Sequence, residues 1–92
     1  MIKIYLKNTT DTNDNFKQIK DELIGQGYEI LSLSINSDYN DILRTIDECH
    51  ILFIINQDGY FSKEVIQEID YAIKNNKRVV TLNDYLLQNK QI

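Results

Sequence analysis

Apolar positions along this chain follow two rhythms in turn. Ile2, Ile4 and Leu6 recur at every second residue and predict a first strand. The small polar residues Asn8-Thr9-Thr10-Asp11-Thr12-Asn13 then read as a loop. Phe16, Ile19, Leu23 and Ile24 fall at helical spacing, with Asn13 or Asp14 as the cap. Gly25 or Gly27 suits the left-handed position that ends this helix. Tyr28 to Leu33 predicts a second strand, and Ser34-Ile35-Asn36-Ser37-Asp38 a loop. Ile42, Leu43 and Ile46 mark the inner face of a second helix, capped by Ser37 or Asp38. His50 to Asn56 is apolar on both faces and predicts a central strand. Ser62 caps a third helix whose core face is Val65, Ile66, Ile69, Ala72 and Ile73. Val79 to Leu82 predicts a fourth strand, and Asp84 to Gln88 a short terminal helix.

This β-α-β-α-β-α-β order predicts a parallel sheet with helices on both faces, in strand order 2-1-3-4. Residues 1–92 form one domain, without a repeat or a linker. The switch point lies between the first and third strands, where small molecules bind in such sheets. Two loops meet there: Asn8-Thr9-Thr10 and Asn56-Gln57-Asp58-Gly59-Tyr60. Their hydroxyls, amides and single carboxylate suit a sugar or a nucleobase edge. Neither a Gly-x-Gly-x-x-Gly nor a Walker loop occurs, so the dinucleotide and NTP readings lack their motif.

Charge and composition narrow the partners. The net charge is −4 and the basic residues are scattered, with only Lys77-Arg78 adjacent. A nucleic-acid partner is not expected. The longest apolar run, Ile51 to Ile55, is far too short to cross a membrane. The first residues lack the charged head and apolar stretch of a leader, so a cytoplasmic location is expected. One cysteine, Cys49, excludes an internal disulfide and reads as a small core residue. No metal or cofactor is expected. A chain of this size has a thin core, which pairing with a second copy would relieve.

Glu68 stands out because it lies at the border of the third helix's apolar face. It is either a reactive carboxylate or a boundary residue paired with Lys63 or Arg78. Tyr5 alternates away from Ile4 and Leu6, either into the core or toward the mouth. Tyr60 is the candidate for stacking on a ligand, and Asp58-Gly59 also fits a plain turn. His50 stands at the far end of its strand from the mouth.

The runs Ile4-Tyr5-Leu6, Ile46-Asp47-Glu48-Cys49-His50-Ile51, Glu68-Ile69-Asp70-Tyr71-Ala72 and Lys77-Arg78-Val79-Val80 occur in that order. Together they resemble the nucleoside 2-deoxyribosyltransferase-like superfamily. The resemblance implies a flavodoxin/Rossmann-like three-layer sandwich. It also implies hydrolysis or deoxyribosyl transfer at the N-glycosidic bond of a nucleoside or nucleotide. Glu68 matches the attacking glutamate and Tyr5 the tyrosine that orients it. Asn8, Thr9, Asn56, Asp58, Gly59 and Tyr60 would then contact the substrate, and a neighbouring copy would complete a homo-oligomer. The chain departs from the pattern at Lys7-Asn8-Thr9, where the family has Ala-Gly-Pro, and at His50, where it has Asp. Glu64-Val65 replaces the pair that precedes the glutamate, and Ser62 stands for a second acid. Two other readings stay open: a non-catalytic nucleotide-binding module, and a dimeric interaction module whose contact is the third helix or Tyr39, Tyr60 and Tyr71.

Overall fold

A computed structural model describes residues 1–8, 15–34, 36–56 and 61–92 of the chain. The elements run β1 (Lys3–Asn8), α1 (Asn15–Gly25), β2 (Glu29–Leu31), α2 (Tyr39–Glu48), β3 (Ile51–Ile55), α3 (Lys63–Lys74), β4 (Arg78–Thr81) and α4 (Leu82–Leu87). The four strands pair in the order β2-β1-β3-β4, and every pair is parallel. The fold is therefore the Rossmann-like three-layer sandwich that the alternating pattern predicts.

All five residues of β3 are buried. Alternation sends its side chains into two separate cores. On one face Ile51, Phe53 and Ile55 join Ile4, Leu6, Ile19, Leu23, Val80, Leu82 and Tyr85, beneath α1 and α4. On the other, Leu52 and Ile54 join Tyr5, Ile46, Cys49, Val65 and Ala72, beneath α2 and α3. At the amino end of the sheet, His50 ties β1 to β3. Its Nδ1 accepts from the Lys3 N–H at 2.9 Å, and its own N–H donates to the Lys3 carbonyl at 2.8 Å.

The helix ends follow their local chemistry. Asp38, Ser62 and Thr81 cap α2, α3 and α4, each accepting from a backbone N–H three residues on. Three turns close on a left-handed residue: Gly27 (φ 96°) after α1, Asn76 (φ 62°) after α3 and Asn89 (φ 56°) after α4. In each, the N–H of the next residue reaches back to the carbonyl five positions earlier: Tyr28 to Leu23, Lys77 to Ala72 and Lys90 to Tyr85. Of the two glycines offered for the first helix end, Gly27 takes this role, while Gly25 is still helical.

Three helix residues expected inside are exposed. Ile24 of α1 is 50% exposed, and Ile66 and Ile73 of α3 are 54% and 58% exposed. Helix α3 is turned so that Val65, Glu68 and Ala72 face the sheet. Strand boundaries also move. β2 is only Glu29–Leu31, β4 starts one residue earlier, and α4 begins at Leu82 because Thr81 and Asp84 form a reciprocal capping box. The proposed α1 cap, Asn13 or Asp14, lies outside the described residues.

Tyr85 anchors α4. Its ring meets Phe53 edge-on at 5.2 Å between centroids, and its hydroxyl donates to Glu22 Oε1 at 3.1 Å. Lys90 pairs with the other Glu22 oxygen at 2.9 Å. Burial, then the Glu22 charge and hydrogen bond, push the Tyr85 phenol up from 10 to about 12.

A Cβ on Gly27 would meet no neighbouring atom, so Gly27→Ala tests backbone strain alone. It should cost about 1 kcal/mol, read as a Tm drop of roughly 4–8 °C in a thermal melt. The raised Tyr85 phenol favours the folded state while it is protonated. That contribution is complete below pH 10 and is lost as pH rises through about 12. Urea titrations across this window should show a shallower alkaline loss for Tyr85→Phe than for the parent chain.

Candidate active site

The carboxyl ends of β1 and β3 are adjacent, with Lys7 paired to Ile54 and Asn8 to Ile55. They form the switch point of the sheet, because β2 and β4 lie on opposite sides of this central pair. Alternation places Tyr5 and Lys7 on the same face of β1. That face is the one covered by α2 and α3, where Tyr5 packs in the second core.

Glu68 comes to this point from α3. Ser62 starts that helix, its Oγ accepting from the Val65 N–H at 3.2 Å. Val65, Glu68 and Ala72 are three and four residues apart, so they share one helix face. Glu68 is therefore central to the buried face, not at its border, and is only 3% exposed. Its partner is neither Lys63 nor Arg78. The Lys7 ammonium, itself 14% exposed, lies 2.6 Å from Glu68 Oε1. The contact is short but is not aligned as a hydrogen bond.

Tyr5 completes the cluster. It is 2% exposed, and Lys7 Nζ stands 6.0 Å from its ring centroid. Burial, then the negative charge of Glu68, hold its phenol far above the usual tyrosine range. Tyr5 is thus kept as a proton-bearing donor and is a poor base. Asn56, just past β3, is buried, and Asn8, at the end of β1, is half-buried. The structure thus brings Tyr5, Lys7 and Glu68 together, with Asn8 and Asn56 at the adjoining strand ends. Thr9, Thr10, Gln57, Asp58, Gly59 and Tyr60 lie outside the described residues.

Lys7 is the site residue that sequence reasoning missed. Its signal was its place two residues after Tyr5, on the face opposite Ile4 and Leu6. Ser62, at the position of a second acid in the resembled pattern, uses its hydroxyl to cap α3. His50 is exposed at the opposite end of the sheet. Cys49 is buried beside Tyr5 in the second core, and burial raises its thiol. Tyr71 donates to Asp47 Oδ1 at 2.8 Å, tying α3 to α2.

Among the described residues no cluster of His, Cys, Asp and Glu could hold a metal ion, and no helix is long and apolar enough to cross a membrane. A concavity of about 550 Å³ lies against the first core and is lined by Gln26, Tyr28, Asn89, Lys90, Gln91 and Ile92. The chain matches no family model and no curated protein.

The ion pair has a direct energetic test. Lys7→Met leaves a buried carboxylate without its cation and should cost about 3–5 kcal/mol. Lys7→Met combined with Glu68→Gln should recover most of that loss, because no uncompensated charge remains. Urea unfolding of the two single variants and the double variant measures this coupling.

Proposed function

We propose that the chain cleaves or transfers at the N-glycosidic bond of a nucleoside or nucleotide, with Glu68 as nucleophile. The observation that carries this reading is a buried carboxylate, ion-paired to a lysine that stands over a buried tyrosine, at the switch point of a parallel sheet. The sequence resemblance assigns the same two residues, Glu68 and Tyr5, to this chemistry. A location in the cytoplasm and a homo-oligomeric state belong to the same reading.

The chemistry is that of a retaining glycosidase. One Glu68 oxygen attacks the anomeric carbon while the bond to the base nitrogen breaks. The base leaves with the electron pair and takes a proton from solvent. The resulting glycosyl ester on Glu68 is then opened by water, or by a second base in transfer. Lys7 contacts Oε1, and attack falls to Oε2. Lys7 compensates the carboxylate charge, and Tyr5 would orient it, as the resemblance implies. Asn8 and Asn56, with Thr9, Asp58, Gly59 and Tyr60, would hold the sugar and base.

One observation favours a second reading. Glu68 is already ion-paired and almost fully buried, which suits a non-catalytic nucleotide-binding module. The two readings separate in one assay. Deoxynucleosides and their 5′-monophosphates are incubated with the parent chain and Glu68→Gln, and free base is quantified by chromatography. The catalytic reading expects release by the parent, a loss of at least about 10³-fold in Glu68→Gln, and a glycosyl adduct on Glu68 by intact mass. Binding without release by either chain supports the module. Equal release by both refutes Glu68 as nucleophile.

A further inference from the structure

The flank of the molecule beyond β4 carries two features that the site does not use. The first is an apolar stripe on α3. Tyr71 bonds to Asp47, so that side of α3 faces α2. Ile66, Ile69 and Ile73 lie roughly opposite Tyr71 around the helix axis. They therefore point past β4, and Ile69 shares the second core with Val79. Ile66 and Ile73 are more than half exposed.

The second feature is the edge of the sheet. β4 is the last strand in the order. The Arg78 N–H donates to the His50 carbonyl at 3.1 Å, toward β3. Backbone groups alternate in direction along a strand, so those of Val79 and Thr81 face outward. Asp84 Oδ2 accepts from the Thr81 N–H at 3.4 Å. That leaves the N–H and C=O of Val79 facing outward, with no strand beyond to take them among the described residues. Charge is also polarised along this edge. Arg78 stands at its start and Asp84 just past its end, whereas the Lys77 ammonium turns inward and donates to the Asp47 carbonyl of α2 at 3.1 Å.

We propose that a second copy of this chain docks antiparallel on β4, about a two-fold axis through Val79. Val79 of each copy then donates to and accepts from Val79 of the other, the closely spaced pair of an antiparallel ladder. The register keeps each helix layer on its own face, since facing residues differ by an even number. Lys77 falls opposite Thr81 of the second copy, and Arg78 opposite its Val80. The basic start of one strand thus lies beside the acidic end of the other, and no like charges face each other along the strand. The same axis carries Ile66 of one copy toward Ile73 of the other, over a sheet of eight strands. The contact is isologous and closed, as a two-fold dimer requires.

Sedimentation velocity across about 1–500 µM tests the assembly, a range suited to a small interface. The parent chain should pass from monomer to dimer mass within it. Ile73→Glu places a charge in the stripe. Val79→Pro removes an outward N–H that an edge strand can spare. Each should raise the dissociation constant at least about tenfold. Ile24→Glu, at an equally exposed isoleucine on α1, should leave it unchanged. Circular dichroism melts establish that each variant is folded. If Val79→Pro fails to fold, Ile73→Glu against Ile24→Glu decides. The proposal is overturned by a parent that stays monomeric at the highest concentration or grows beyond two copies. It is also overturned if Ile73→Glu dimerises like the parent, or if Ile24→Glu weakens the dimer as much.

Discussion

A central strand buried on both faces sets the terms for the rest of this molecule. The side chains of Ile51 to Ile55 must be covered from two sides, so helices are needed above and below the sheet. Parallel pairing then forces each connection to cross the sheet, which consumes nearly the whole chain. With β1 beside β3 and the outer strands on opposite flanks, the switch point falls at the carboxyl ends of the inner pair. Lys7 emerges at that point, and α3 begins beside it. The place of the candidate site is thus a consequence of how the core is filled.

The Lys7–Glu68 contact explains the orientation of α3. Apolar content alone would roll Ile66 and Ile73 inward. The helix instead buries Glu68, because β1 supplies a cation on the facing side. An apolar pair of similar volume could hold the two elements at least as well, since desolvation offsets much of the Coulomb attraction. Stability is therefore a weak reason for charges at this point. A reactive or ligand-holding carboxylate is a stronger one, because it needs a compensating ammonium and a dry setting. The same rotation leaves Ile66 and Ile73 uncovered beside the edge strand β4, so the candidate site and the proposed dimer surface have one structural origin.

The fold was legible because its signals are local and mutually consistent. Alternation at Ile4 and Leu6, the doubly apolar Ile51–Ile55, and caps at Asp38 and Ser62 each agree with one topology. Glu68 was legible as an unusual carboxylate but not as a central one. A helical wheel weighs side chains by polarity and has no term for a cation on another element. Lys7 was missed for the same reason, since a lysine ending a strand reads as a solvated residue. Ile24, Ile66 and Ile73 were assigned inward because isoleucine is usually buried, whereas their helices have room for only a narrow stripe against a four-stranded sheet.

The central claim is that the carboxyl ends of β1 and β3, with Glu68 between them, form the ligand site. Backbone amide shifts followed by NMR during titration with a deoxynucleoside 5′-monophosphate test it directly, whether or not chemistry follows. The account predicts saturable shifts centred on Lys7, Asn8, Asn56 and the first two turns of α3. Shifts centred instead on Gln26, Tyr28 and Lys90, at the concavity on the opposite face, or none at millimolar ligand, would contradict it.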